Sequence, residues 1–196
     1  MYYLPENYKS RALVNHFDNT RNTDQFQNGV YETTSHLVRI CGYKSVVDIG
    51  CGSAFKLMKY FSHIETLGID VRDTIRKIED VYKRRHWAVS RPESFHKLTT
   101  DVVICSDVIE HVLKPDDFLR CISEITAEWF IFSTPNRDKL YGKGHKGPPR
   151  NTCHHREWNE IEFERLLSDY FDVRGYKLID PVEATMLFQC RKLKDV

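Results

Sequence analysis

Apolar and polar positions along this chain alternate in a way that predicts strands and helices in turn. From residue 45 onward, short apolar runs such as "SVVDIG" and "DVVICS" are typical of strands that are buried on both faces of a sheet. Amphipathic stretches such as "AFKLMKYFSHI" and "RDTIRKIEDVYKRR" separate these runs and are typical of helices. The alternation predicts an α/β fold, with a mostly parallel sheet and helices on both of its faces.

The C-terminal part of the chain departs from this alternation. A helix is predicted over "REWNEIEFERLLSDYF", and two strand-like segments, "DVRGYKLID" and "ATMLFQCRKL", follow it. The link "DPVE" between them is too short for a crossover helix, so we predict that these strands pair antiparallel at one edge. Together with the five preceding strand signals this predicts a seven-stranded sheet.

Composition narrows the class of protein. A length of 196 residues predicts one domain, and 41% hydrophobic with 29% charged residues is typical of a soluble globular protein. The net charge of +1 gives no overall field that would favour nucleic acid or an anionic membrane. Neither a signal-peptide core nor an apolar run of about 20 residues is present. We therefore expect a cytoplasmic protein with no membrane span and no nucleic-acid partner.

The cysteines do not indicate a metal or redox site. No two of them form a Cys-x-x-Cys pair, which argues against a zinc ribbon. Three lie in or beside strand-like runs and are expected to be small buried hydrophobic residues: Cys51, Cys105 and Cys190.

The segment "VVDIGCGSAF" carries the first candidate chemistry. Gly50 and Gly52 follow a predicted strand and allow a tight turn and a close approach of backbone to a ligand. Phe55 stands where a dinucleotide-binding fingerprint would have its third glycine, and Asp48 lies at the strand end. A tight strand-to-helix turn also occurs for structural reasons alone, so the glycine pair by itself leaves both interpretations open.

Asp70 strengthens the ligand-binding interpretation. It ends the next predicted strand, 18 residues after Gly52, and an acid at about this spacing can accept hydrogen bonds from ribose hydroxyls. The alternative is that it caps the following helix. Asp73 is better placed for that role, which leaves Asp70 for a ligand.

The loop after "DVVICS" concentrates a third set of polar residues. It carries Ser106, Asp107, Glu110 and His111 just beyond the end of a predicted strand. In open parallel sheets, ligands bind beyond the carboxyl ends of the strands. We therefore expect this loop to face the same ligand as the glycine turn.

These three features together resemble the class I S-adenosylmethionine (SAM)-dependent methyltransferases. The turn from Asp48 to Ala54 resembles their first motif, with Ala54 in place of the last glycine, and Asp70 resembles their second acidic position. "SDVIEHV" and "STPN" resemble the subgroup that holds quinone-biosynthesis and small-molecule or sugar O-methyltransferases. The resemblance implies a Rossmann-like fold and SAM as the cofactor, with S-adenosylhomocysteine (SAH) as its product.

The resemblance also implies a set of cofactor-binding residues. Asp48 would hold the ammonium end of the amino-acid moiety, Asp70 the ribose hydroxyls, and Val71 would lie beside the adenine. The full implied set is Asp48, Gly50, Cys51, Gly52, Asp70, Val71, Ser106, Asp107 and Val108.

Three histidines are candidate catalytic residues. A hydroxyl acceptor benefits from a general base, and histidine suits this role, whereas an amine acceptor only needs to be deprotonated and aimed. His111 could instead shape its loop, and His154 and His155 could instead cap a helix or lie in solvent. Cys153 and Glu157 lie beside the histidine pair, but adjacent residues rarely converge on one ion, so no metal site is expected.

Residues 1–196 are interpreted as a single methyltransferase domain with four parts. Residues 1–44 are expected to form a helical N-terminal cap and residues 45–135 the SAM-binding half. Residues 136–157 are expected to form the acceptor loop, and residues 158–196 the C-terminal helix and strands.

Two basic segments lie outside these motifs. Residues 136–151 of the acceptor loop have a single acid, Asp138, and form either a solvated loop or a lid that attracts an anionic acceptor. Their cations are Arg137, Lys139, Lys143, Lys146 and Arg150. The run Lys83–Arg85 is expected to end a helix, where cations complement the helix dipole.

The function predicted from the resemblance is transfer of a methyl group from SAM to a small polar acceptor. The acceptor is expected to be a hydroxyl of a sugar or secondary metabolite, and it could be anionic. The alternatives are N-methylation, a quinone-like or lipid-linked acceptor, or a SAM-binding scaffold or regulatory subunit without catalysis. The oligomeric state is left open.

Overall fold

The computed structural model describes residues 2–15, 18–23, 25–180 and 184–193. Seven strands form one sheet. Their bounds are β1 (Ser45–Ile49), β2 (Glu65–Asp70), β3 (His86–Val89), β4 (Val102–Ser106), β5 (Trp129–Pro135), β6 (Phe171–Asp180) and β7 (Thr185–Lys192). The strand order is β3-β2-β1-β4-β5-β7-β6. The first five strands pair parallel, and β7 pairs antiparallel with both β5 and β6.

Six α-helices connect the strands or precede them. Their bounds are α1 (Asn28–Cys41), α2 (Phe55–Phe61), α3 (Arg72–Glu79), α4 (Pro115–Ser123), α5 (Arg137–Tyr141) and α6 (Glu160–Ser168). Two 3₁₀ turns lie at Pro92–Lys97 and Ile109–His111. None of the helices in the described part of the chain combines the length and apolarity that crossing a bilayer requires.

The predicted fold class is confirmed, including the antiparallel hairpin at one edge. Successive residues of β1 show why the central strands are apolar throughout. Val46 and Val47 are 1% and 4% exposed, and they belong to separate hydrophobic clusters on opposite faces of the sheet. All six cysteines are free thiols, and Cys51, Cys105 and Cys190 are buried as predicted.

The N-terminal segment is less helical than predicted. Within the described part of residues 1–44, helix is confined to α1, so the expectation of a helical cap over the whole segment is wrong. Residues 2–15 instead run along the 145–158 segment as irregular chain. The backbone N–H of Lys9 donates to the carbonyl of Lys146 at 2.8 Å, and that of Arg11 to the carbonyl of His155 at 2.8 Å.

Helix α3 is shorter than its amphipathic pattern predicted. It ends at Glu79, so the basic run Lys83–Arg85 lies in the turn before β3, and its interpretation as a helix-dipole partner is wrong. The expected cap is also absent. Val71 occupies the N-cap position without a side-chain hydrogen bond, and Asp73 lies in the first turn.

Helix α6 begins later than predicted. Asn159 caps it in a reciprocal arrangement: its side chain accepts from the backbone N–H of Glu162, and the Glu162 carboxylate accepts from the backbone N–H of Asn159. The residues before Asn159, including His154 and Glu157, are therefore non-helical and can turn toward the carboxyl ends of the strands.

Candidate active site

A cavity of about 750 Å³ lies at the carboxyl ends of β1, β2, β4 and β5. This is the position expected for a ligand in a mostly parallel sheet. The predicted site residues that line the cavity are Gly50, Cys51, Gly52, Asp70, Val71, Ser106, Asp107, Val108, His111 and His154. Asp48 and His155 do not line it.

The glycine turn brings two loops into close contact. Gly50 and Gly52 have φ angles of 79° and 54°, in the left-handed region that favours glycine. A Cβ atom on Gly50 would lie 2.2 Å from Cγ2 of Val108, in the loop after β4. The turn therefore needs glycine at this position both for its conformation and for its close approach to the second loop.

Asp48 lies just beneath the glycine turn and is fully buried. Its Oδ2 accepts a hydrogen bond of 2.9 Å from the hydroxyl of Tyr31, and its Oδ1 has no hydrogen-bond partner among the described residues. Burial raises the pKa of Asp48 to about 7, against the lowering effect of the Tyr31 hydrogen bond. A buried carboxylate with one unsatisfied oxygen fits a cationic ligand group such as the ammonium of SAM.

Lys56 is a cavity-lining residue that the sequence analysis missed. Its side chain is buried, its Nζ donates to the carbonyl of Thr23 at 3.2 Å, and it lies 5.6 Å from the ring centroid of Tyr31. It is in the first turn of α2, where the helix dipole disfavours a cation. That unfavourable position is the sequence signal that could have indicated a ligand-binding role.

Asp70 joins β2 to the glycine turn. Its Oδ2 accepts from the backbone N–H of Gly52 at 2.8 Å, and its Oδ1 accepts from the backbone N–H of Val71 at 2.7 Å. These bonds fix the carboxylate at the cavity wall, and each oxygen keeps a further lone pair for a ligand hydroxyl. Val71 beside it is 48% exposed, an apolar surface next to the proposed ribose position.

Asp107 is held by a hydroxyl network at the end of β4. Its Oδ1 accepts a 2.6 Å hydrogen bond from the Ser133 hydroxyl, which is also 2.8 Å from the hydroxyl oxygen of Ser106. Burial raises the pKa of Asp107 above its ordinary value. Burial likewise raises the pKa of the Cys51 thiol well above its usual range, so this cysteine lines the cavity as a neutral group.

His154 lines the cavity and forms a buried pair with Glu157. Its Nδ1 lies 2.7 Å from Oε1 of Glu157, and its Nε2 lies 3.0 Å from Nδ2 of Asn151. The Asn151 amide is oriented by its Oδ1, which accepts from the backbone N–H of Cys153. Because the Asn151 NH₂ group can only donate, Nε2 of His154 is the proton acceptor and Nδ1 carries the proton toward Glu157.

His111 packs edge-to-face against His154, with 4.7 Å between the ring centroids. Its Nδ1 lies 2.8 Å from the carbonyl oxygen of Cys153, so Nδ1 donates and Nε2 has the lone pair in the neutral ring. Glu110 is buried nearby, where Thr134 donates to its Oε2, and burial raises the pKa of Glu110 well above its usual range.

Glu110, His111 and His154 form a cluster that could hold a metal ion. One ligand atom from each lies within 4.8 Å of the others. The expectation that the chain has no metal site stays a prediction, but the sequence analysis did not identify this cluster of potential ligands. Sequence spacing could not reveal it, because residues 110–111 and 154 lie on separate loops that meet only in the folded chain.

His155 and Arg137 were expected to face the acceptor, but both are buried and contact other parts of the chain. His155 is buried outside the cavity wall, with its Nδ1 2.7 Å from the carbonyl oxygen of Arg11. Arg137 is 1% exposed and forms a bidentate ion pair with Glu162 at 2.6 and 2.7 Å, so it anchors α6 rather than attracting an acceptor.

Comparisons with known proteins agree with this geometry. The family described as "Methyltransferase domain" matches residues 16–178. The PH0226 protein from Pyrococcus horikoshii OT3 has a TM-score of 0.67 and 18% identity, covering 88% of this chain and 93% of that one. No curated protein matches the chain.

Two further solved structures have named activities. Magnesium protoporphyrin IX methyltransferase from Synechocystis PCC 6803, with bound SAH, has a TM-score of 0.64 and 14% identity, covering 85% of this chain and 84% of that one. The small RNA methyltransferase HEN1 has a TM-score of 0.66 and 19% identity, covering 92% of this chain and 27% of that one. At these identities the two structures share the fold with this chain.

The glycine turn and the acid at the end of β2 line the cavity, and the unsatisfied buried carboxylate of Asp48 lies just beneath the turn. These donors and acceptors fit SAM. Since the methyltransferase family matches more than half of its length, the chain belongs to the class I SAM-dependent methyltransferases.

Proposed function

We propose that this enzyme transfers the methyl group of SAM to a hydroxyl oxygen of a small polar acceptor, with His154 as the general base. The observation that carries the proposal is the buried His154–Glu157 pair. It presents an unprotonated Nε2 to the same cavity that contains the glycine turn. A hydroxyl must lose its proton as its oxygen is methylated. The lone pair of Nε2 receives that proton when the acceptor hydroxyl takes the place of the Asn151 NH₂ group, which donates to Nε2 in the ligand-free structure.

Bound SAM, His154 and Glu157 have separate roles in the proposed reaction. Bound SAM supplies an activated methyl group and a neutral thioether leaving group. Nε2 of His154 accepts the acceptor's proton as the O–CH₃ bond forms and the S–CH₃ bond breaks, with the electron pair staying on sulfur. Glu157 accepts the Nδ1 hydrogen bond and stabilises the imidazolium that results.

A second candidate acceptor is the ribose hydroxyl at an RNA end. The cluster of Glu110, His111 and His154 favours it, since a divalent cation there could bind two neighbouring hydroxyls. The structural similarity to a small RNA methyltransferase supports the same possibility. Because the overall net charge is only +1, we favour the small acceptor.

An anionic acceptor is supported by the remaining cations of the acceptor loop. With Arg137 paired to Glu162, the exposed loop cations are Lys139, Lys143, Lys146 and Arg150. The Arg150 guanidinium lies 4.9 Å from the ring centroid of Tyr141, which lines the cavity. A cation at the cavity mouth favours a phosphate or carboxylate on the acceptor.

An acceptor panel tests the proposed reaction. The purified enzyme is incubated with methyl-labelled SAM and matched pairs of sugars and phenols in which one hydroxyl is replaced by an amine. We expect label in the hydroxyl members only. Label in the amines alone would establish N-methylation, and label only in an RNA oligonucleotide would favour the ribose acceptor.

The cofactor-binding roles are proposed from the same geometry. Asp48 binds the ammonium group of SAM, Lys56 its carboxylate, and Asp70 its ribose hydroxyls. Lys56 is a buried cation on the cavity wall, 5.6 Å from the ring centroid of Tyr31, whose hydroxyl donates to Asp48. The amino-acid moiety of SAM has one positive and one negative end, which these two side chains complement.

Replacing Lys56 with methionine is expected to weaken SAM and SAH binding about 10- to 100-fold by loss of one charge-assisted hydrogen bond. Methylthioadenosine lacks the amino-acid moiety, so its affinity should stay within about twofold of wild type. Asp70→Ala should weaken all three ligands, since each contains the ribose. Isothermal titration calorimetry measures the three dissociation constants.

Two neighbouring residues provide matched controls. Lys59→Met removes an exposed lysine from the same helix, and Asp73→Ala removes an exposed acid three residues beyond Asp70. Both should bind all three ligands like wild type. Equal losses of SAM and methylthioadenosine in Lys56→Met would contradict the carboxylate role of Lys56.

The cellular location is also a proposal. All six cysteines are free thiols, which supports a reducing compartment such as the cytoplasm.

A further inference from the structure

A second cleft, of about 470 Å³, lies at the opposite end of the sheet from the active site. Its walls come from the segments that enter the amino ends of three neighbouring parallel strands, β1, β2 and β3. The lining residues are Lys44, His63, Ile64, Glu65, Thr66, Arg84, Arg85 and His86. SAM binds at the carboxyl ends of the strands, so this cleft is separate from the reaction.

The cleft concentrates positive charge on a chain that is nearly neutral overall. Lys44, Arg84 and Arg85 line it, and Glu65 is its one acid, whereas the whole chain has a net charge of +1. Two histidines, at positions 63 and 86, add further donors. Cations held together in one concave site repel one another, which an anionic ligand would relieve.

Most of these side chains are available to a ligand. Within the described residues, the side chains of Lys44, His63, Arg84 and His86 make no hydrogen bond or ion pair, and all four are exposed. Arg85 is different: its guanidinium donates to the carbonyl of Ile64 at 3.2 Å and to that of Ser62. Arg85 is therefore a fixed cation at the wall, and the exposed groups surround it.

The helix dipole does not explain the basic run at Lys83–Arg85. Helix α3 ends at Glu79, too early for these residues to interact with its dipole. Thr66 also lines the cleft and is 4% exposed.

We propose that this cleft is a binding site for phosphate groups. Guanidinium groups match phosphate oxygens through paired N–H donors, and an ammonium and imidazoles at the rim add charge-assisted hydrogen bonds. Arg85, held in place by two carbonyls, reduces the conformational entropy that the ligand must overcome. The phosphate could belong to a free phosphorylated compound or to a nucleic-acid backbone, since both present the same oxygens.

Two phosphate probes test the site. Tripolyphosphate binding is measured by calorimetry, and binding of a fluorescein-labelled single-stranded RNA oligonucleotide by anisotropy, both at low ionic strength. We expect saturable binding of tripolyphosphate to wild type. The double variant Lys44→Ala/Arg84→Ala should bind it at least about tenfold more weakly, because two charge-assisted contacts are lost.

The control variant Arg76→Ala/Lys97→Ala removes the same charge from exposed positions outside the cleft. It should change the tripolyphosphate affinity by less than about twofold. Both double variants should bind SAM like wild type, which shows that they are folded and separates this test from the proposed function. If RNA binding is lost in parallel with tripolyphosphate, the backbone is a ligand; if RNA does not bind, the ligand is a free phosphate compound.

A third variant should change the affinity in the opposite direction. Glu65→Gln removes the one acid that lines the cleft and should tighten tripolyphosphate binding about two- to fivefold. The proposal is overturned if wild type shows no saturable binding of either probe at millimolar concentration. It is also overturned if the control pair weakens binding as much as the cleft pair.

Discussion

Replacement of Asp48 with asparagine is expected to stabilise the ligand-free enzyme at pH 8 by about 2 kcal/mol, and to weaken its binding of SAM. The carboxylate is fully buried, and burial raises its pKa to about 7. Above that pH the folded chain must keep a buried negative charge. Asparagine retains an oxygen that accepts the Tyr31 hydroxyl and removes the charge.

The pH dependence follows from the direction of the shift. An aspartate in the unfolded chain has a pKa near 3.9, so between about pH 4 and pH 7 the folded state holds a proton that the unfolded state has lost. The free energy of unfolding therefore falls as pH rises through this window, by about 4 kcal/mol for three pKa units, and is level above it. The NH₂ group of the asparagine would lie where Oδ1 has no partner and leaves its donors unsatisfied, which offsets about half of the gain at every pH.

Urea unfolding measures the free energy of unfolding of wild type and Asp48→Asn from pH 4.5 to pH 8. The difference between the two curves isolates the effect of Asp48, because the contributions of the other titrating groups cancel. We expect the variant to be less stable than wild type by about 1 to 2 kcal/mol near pH 4.5 and more stable by about 2 kcal/mol at pH 8, so that the two curves cross. Saturating SAM should reverse the order, because its ammonium group neutralises Asp48 only in wild type. Parallel curves would show that Asp48 does not titrate near neutral pH.

Much of the fold could be predicted from local patterns. The strands were recognised because β1, β4 and β5 are apolar on both faces, and the hairpin because its link is short. Helix lengths were less predictable: the amphipathic pattern continues past Glu79, but the chain leaves α3 there to enter β3. The periodicity of apolar residues shows which face of a helix can be buried. It does not show where the helix ends, because tertiary packing determines that.

The cofactor side of the site was more predictable than the acceptor side for a physical reason. Gly50, Gly52 and Asp70 lie within one strand–turn–helix–strand unit, so their spacing in sequence determines their spacing in space. His154 and His111 meet across 43 residues, and nothing in their local sequence encodes that contact. Lys56 was missed because a lysine in a helix is ordinarily a solvent-exposed residue.

The largest catalytic effect is expected for His154→Ala, which should lower kcat about 10²- to 10⁴-fold with a hydroxyl acceptor. Its Nδ1 donates to Glu157, so the lone pair is on Nε2, where the acceptor hydroxyl replaces the Asn151 NH₂ group. SAM affinity should change little, since none of the proposed contacts of SAM involves His154. Initial rates are measured with methyl-labelled SAM and the hydroxyl acceptor that gives the highest turnover in the panel.

His155 provides the matched control for His154. It adjoins His154 in sequence but lies outside the cavity wall, where its Nδ1 faces the carbonyl of Arg11. His155→Asn keeps a donor for that carbonyl and should retain kcat within about threefold of wild type. If His154→Ala turns over like wild type while binding SAM normally, His154 is not the base.

Substitution of Glu157 and addition of a chelator distinguish a general-base role of His154 from a metal-binding role. Glu157→Gln should lower kcat about tenfold or more, and the double variant with His154→Ala should be no slower than His154→Ala alone, because Glu157 acts through the imidazole. A chelator should leave wild type unaffected if His154 acts as a base alone. If the chelator abolishes turnover and Mg²⁺ or Mn²⁺ restores it, the cluster of Glu110, His111 and His154 holds a cation that lowers the acceptor's pKa. In both cases the reaction depends on an imidazole nitrogen of His154. If the chelator has no effect, this nitrogen accepts the proton itself; if the chelator abolishes turnover, the nitrogen binds the metal ion that lowers the pKa of the acceptor hydroxyl.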